Sequence, residues 1–110
     1  MEYRLYFDTY PAPQDWGNTM EHVPLNITEE VTIDEETGEL ITGYRADVVK
    51  RVNKPLTVDN IVQGAVDEDF TDEQQKYIMR HFSDDSDALV AKYKKLVAFV
   101  TKSAKDGGYK

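Results

Sequence analysis

Residues 28–46 read TEEVTIDEETGELITGYRA, and this stretch decides the fold. Two β-branched, alternating runs flank Glu35-Glu36-Thr37-Gly38. A four-residue turn closing on Gly suits a type I turn followed by a left-handed residue, a conformation that costs Gly nothing because it has no Cβ. The turn sets Asp34 opposite Glu39. Counting outward, Ile33 faces Leu40, Val31 faces Thr42, Glu29 faces Tyr44 and Ile27 faces Ala46. One face then carries Ile27, Val31, Ile33, Leu40, Tyr44 and Ala46, and the other Thr28, Glu30, Thr32, Ile41, Gly43 and Arg45. A slip of one residue would mix the two sets, so turn chemistry and apolar pattern select the same register. The expectation is a β-hairpin over residues 27–50, with Tyr44 on its buried face and Arg45 on its exposed one.

Outward from the hairpin, Tyr3-Arg4-Leu5-Tyr6-Phe7-Asp8 alternates and is aromatic enough for a strand over 3–8, which would add a third strand to the sheet. Residues 9–25 hold Pro11, Pro13, Gly17 and Pro24 among polar residues and read as a loop. Trp16 within it reads as a plug onto the core or as a binding aromatic. Downstream, Asn53-Lys54-Pro55 ends the second strand. Thr57 caps a helix over 58–67, weakened by Gly64; Thr71 and Gln74 have capping-box spacing for a helix over 72–82. A third helix over 86–104 buries Leu89, Val90, Tyr93, Leu96, Val97 and Val100, which recur at helical spacing. Residues 105–110 are expected to fray. The fold class is α+β, an antiparallel sheet of two or three strands packed against three helices, and 110 residues give room for one domain.

The chain has no Cys, which removes disulfides, thiolate metal sites and cysteine nucleophiles. No apolar run approaches the roughly 20 residues of a membrane helix, and the first residues lack a basic, then apolar leader. A cytoplasmic protein without membrane contact is the expectation, so the acceptor triplet Asn26-Ile27-Thr28 is not read as glycosylated. Charge is uneven: residues 1–50 hold 11 acidic and 3 basic side chains, a net of −8, whereas residues 51–110 hold 10 of each. Lys92, Lys94, Lys95, Lys102, Lys105 and Lys110 make the end of the chain locally basic.

Several constellations invite chemistry. Asp67, Asp69, Thr71 and Glu73 alternate oxygen ligands like the start of a calcium loop, but the sixth position is Asp72 instead of Gly and the twelfth Ile78 instead of Glu, so the acids read as helix caps. His22 and His81 have no zinc spacing, and His81, between Tyr77 and Phe82, reads as a partly buried helix histidine. Ser83 and Ser86 lack an elbow, oxyanion donors and an orienting carboxylate. Glu29 and Glu30 point to opposite faces, and Glu35 and Glu36 sit in a turn, so neither pair converges as acid catalysis requires. The reading is a non-enzymatic protein with no catalytic residue, cofactor or metal. The acidic junction at Ser83 to Asp87 and the net charge argue against direct nucleic-acid binding. An acidic half that imitates DNA to occupy a basic nucleic-acid-binding partner is the alternative.

Glu30-Val31-Thr32-Ile33-Asp34-Glu35-Glu36-Thr37-Gly38-Glu39, then Ile41 to Val49, then Pro55 to Val62 resemble short uncharacterised proteins encoded by prophages and related mobile elements of gut bacteria. The resemblance spans roughly residues 28–82. It implies a small accessory or structural protein that acts through protein contacts, associated with tail genes, and it carries over no catalytic residue. Trp16, Glu29, Glu30, Glu35 and Glu36 are the candidate partner-binding residues.

Overall fold

A computed structural model describes every residue except Trp16 and Asn18. The class is α+β: an antiparallel sheet and three helices, α1 (Val58–Asp69), α2 (Asp72–Arg80) and α3 (Ala88–Asp106). The sheet comprises β1 (Glu2–Phe7), β2 (Gln14–Asp15), β3 (Met20–Ile33) and β4 (Leu40–Asn53), in the spatial order β1-β4-β3-β2. The sheet differs from expectation in both strand number and extent, with four strands among the described residues instead of two or three. The segment 9–25 contains β2 and the start of β3, and the hairpin runs from Met20 to Asn53, longer at both ends than 27–50. Pro24 did not end β3, because a proline is tolerated where its missing N–H costs no ladder bond.

The turn forms as the residues require: Gly38 has φ of 73°, its N–H donates to Asp34 O at 2.8 Å, and Asp34 N–H donates to Glu39 O at 2.9 Å. The register follows the sequence reading from Ile33↔Leu40 down to Thr28↔Arg45 and then shifts, so that Leu25 faces Asp47. The extra residue lies at Asn26, in the left-handed region at φ of 53°. This bulge switches side-chain parity along β3. Below it Val23 and Leu25 join Val49 and Val52 in the core beneath the helices, while above it the even-numbered residues continue that face.

The parity switch overturns the expected buried face. Val49 and Val52 lie under α1, so the face of β4 that carries Asp47 and Val49 meets the helices, and Tyr44 and Ala46 lie on the opposite side. Ala46 is nonetheless fully buried, whereas Tyr44 and Arg45 are both half-buried. Tyr10 stacks edge-on over Tyr44 with centroids 5.4 Å apart. The core itself unites Val23, Leu25, Val49 and Val52 with Ile61, Ala65, Phe70, Ile78, Val90, Leu96 and Val100.

Helix boundaries follow the caps. Thr57 accepts from Asn60 N–H, Thr71 and Gln74 form a reciprocal capping box, and Asp87 accepts from Leu89 and Val90 N–H. α2 stops at Arg80, leaving His81 and Phe82 exposed instead of in the core. The tail does not fray: Gly108, at φ of 88°, donates to Lys105 O, and Tyr109 donates to Ala104 O, a Schellman closure that brings Tyr109 onto the core cluster.

Candidate protein-contact site

Beyond Glu29 and Tyr44 the hairpin leaves the body of the protein. The molecule measures 58 × 34 × 22 Å and its radius of gyration is 16.7 Å, against about 13 Å for a compact chain of this length. The projecting arm exposes large aliphatic side chains: Val31 is 53% exposed, Ile33 67%, Leu40 71% and Ile41 43%. Val31, Ile33 and Leu40 share one face, because Ile33 pairs with Leu40 and Val31 with Thr42, and side chains alternate along a strand. A two-stranded ribbon in water has no core on which to spend such residues.

The arm is rooted in a buried polar cluster. Asp47 is 3% exposed; one carboxylate oxygen accepts from Arg4 N–H at 2.9 Å and the other from Asn26 Nδ2 at 3.0 Å. Asn26 Nδ2 also donates to Ser103 Oγ at 2.8 Å, tying the sheet to α3, and Arg4 Nη1 donates to Asn26 O at 2.8 Å. Among the described residues, Arg4 and Asn26 are the non-glycine residues of positive φ, 54° and 53°, and both lie at register shifts on the strands that flank Asp47. Each left-handed residue aims groups at the carboxylate that a regular strand would direct elsewhere. Above this point Tyr6 lies across Gly43, and the Arg45 guanidinium sits 5.1 Å from the Tyr6 ring centre while its Nε donates to Glu30 at 2.8 Å.

The sequence-derived candidates therefore separate. Glu29 is exposed opposite Tyr44, Glu30 is half-buried and paired with Arg45, and Glu35 and Glu36 are exposed in the turn. All four belong to the arm, while Trp16 lies outside the described residues. The aliphatic residues between the acids escaped the sequence reading, which assigned Val31, Ile33 and Leu40 to the core; an alternating strand looks the same whether its apolar face meets a helix or a partner.

Elsewhere, a cleft of about 440 Å³ lies between Tyr10, Pro24, Asn26, Ser103 and Tyr109, and its carboxylate Asp106 is paired with Lys102. A second, of about 380 Å³, is lined by Tyr3, Asp69, Lys92, Lys95, Leu96 and Phe99 beside α3. His81 stacks on Tyr77, its Nδ1 2.9 Å from Tyr77 O. The Tyr77 hydroxyl donates to Asp87 and, with the Val90 N–H, holds the Asp87 carboxyl below the usual range. Among the described residues no group of His, Asp and Glu is placed to hold a metal ion, and no helix is long and apolar enough to cross a membrane. Comparison with family models, curated proteins and solved structures gives no match.

Proposed function

We propose that this chain is a non-catalytic protein-contact module, an accessory or structural protein of a phage-like element, and that the arm from Thr28 to Arg45 is its contact element. The supporting observation is the exposure of Val31, Ile33, Leu40 and Ile41 on a ribbon that contributes nothing to the buried cluster. Exposed apolar surface of this kind, rimmed by polar groups, marks association sites. The resemblance of residues 28–82 to prophage-encoded proteins supports the setting. The interleaved aliphatic side chains favour a protein surface over imitation of nucleic acid, whose phosphates offer no apolar counterpart.

The test is to change Ile33 and Leu40 to Lys and to compare partner capture from the host with that of the unaltered chain. Loss of capture with an unchanged unfolding midpoint is expected. Capture that persists undiminished would move the contact site off the arm.

A further inference from the structure

Resting on the arm as contact element, we propose that its occupant is a second copy of this chain: the tip of each arm inserts into the lysine-rimmed cleft beside α3 of its partner, closing a two-fold dimer. Residues 29–39 carry six carboxylates and no cation. Of these, among the described residues, Glu30 alone forms an ion pair, with Arg45. Glu29, Glu35, Glu36 and Glu39 stand exposed without one.

The cleft offers the complement. Its apolar surface comprises Tyr3, Leu96 and Phe99, with Tyr3 54% and Phe99 37% exposed and their rings 5.9 Å apart. Lys92 and Lys95, one helical turn apart, line it, and neither forms an ion pair among the described residues. Its one acid, Asp69, is already held by the Met1 ammonium at 2.7 Å. An acid-rimmed aliphatic tip thus meets a lysine-rimmed aromatic cleft, which supplies apolar burial and opposite charge together.

The arm cannot fill its own cleft. β1 carries Tyr3 beside Glu2, which pairs with Val48, and the strand climbs from Val48 to Leu40 before the turn. Those residues span about 26 Å at roughly 3.3 Å per residue, leading away from the cleft. A reciprocal exchange satisfies both arms and closes, whereas a one-way contact would propagate into a chain of molecules. It also doubles the buried area, toward the ~1,200 Å² that stable interfaces exceed.

Sedimentation velocity at hundreds of micromolar tests this. The unaltered chain is expected to sediment as a dimer at about 0.01 M salt and to dissociate toward about 1 M, where the screening length falls from roughly 30 to 3 Å. Glu35→Lys, Glu36→Lys and Glu39→Lys together should yield a monomer, as should Lys92→Glu with Lys95→Glu. An equimolar mixture of the two variants should dimerise, because the lysine arm of the first fits the acidic cleft of the second while the acidic arm of the second fits the lysine cleft of the first. Circular dichroism establishes that each variant is folded; should the triple variant fail to fold, Ile33→Lys serves in its place and should be monomeric. A monomeric unaltered chain at low salt, dimers that survive either reversal, or a mixture that stays monomeric would overturn the exchange. A monomer that still captures a foreign protein through Ile33 and Leu40 would refute the second-copy occupant and leave the arm as contact element standing.

Discussion

Asp47 and Gly64 show what a residue does that its neighbours in sequence do not announce. Asp47 reads as one more position in a strand, yet it is buried and accepts from donors on two neighbouring strands. Asp47→Ala should cost about 1–3 kcal/mol in all, because the partly buried Arg4 N–H loses its acceptor while Asn26 Nδ2 keeps Ser103 Oγ. Urea unfolding measures this, and exchange protection of arm amides should fall ahead of that in the core. Gly64 reads as a weak point in α1, but a Cβ there would stand 2.5 Å from Arg51 O and 3.2 Å from the methyls of Val49 and Val52. The nearest atom is backbone and cannot rotate away. The overpacking costs about 1–3 kcal/mol against the ~1 kcal/mol of helix propensity gained, so Gly64→Ala should be net destabilising, by up to about 2 kcal/mol. A more stable variant would show that α1 can move off the sheet.

Elements were legible where their signals are local. Caps at Thr57 and Thr71 and the turn at Gly38 depend on a few adjacent residues, and the hairpin register held wherever the turn alone governs it, whereas α3, expected over 86–104, starts only after Asp87 and runs to Asp106. Below Thr28 the bulge at Asn26 takes over, and its cause is the distant Asp47 and Ser103, which no local pattern contains. The Asp87 cap also links α2 to α3 through Tyr77 and confers a pH dependence on that junction. Because the Tyr77 hydroxyl and Val90 N–H lower the native pKa of Asp87, its contribution is complete above the ordinary aspartate range and is lost as pH falls through the lowered native value. Tyr77 runs the other way: hydrogen bonding to Asp87 raises its pKa, so its contribution holds below the ordinary phenol range and is lost as pH rises through the raised native value. In Tyr77→Phe, an NMR titration should find the Asp87 carboxyl closer to its usual value, and the acid limb of the stability curve should flatten. An unchanged titration would mean that the backbone donors of α3 suffice.

At the scale of the molecule, body and arm answer to different requirements. The buried cluster draws on the lower halves of β3 and β4 and on all three helices, and it includes no residue between Asn26 and Asp47. The arm should therefore be removable. Val31 lies directly opposite Thr42, so replacing residues 32–41 by Asn-Gly closes the ribbon with a two-residue turn of the type that suits strand twist, without altering the register below. The excision removes Asp34, Glu35, Glu36 and Glu39, taking the net charge from −8 to −4. Exposed carboxylates add little to folding, so the shortened chain should unfold cooperatively with a melting temperature within a few degrees of the original. Its radius of gyration by small-angle scattering should fall toward the roughly 13 Å of a compact chain, and its contacts with any arm-dependent partner should vanish. A shortened chain that fails to fold would show that the arm stabilises the body, and the exposed aliphatic residues would then need a structural explanation in place of a binding one.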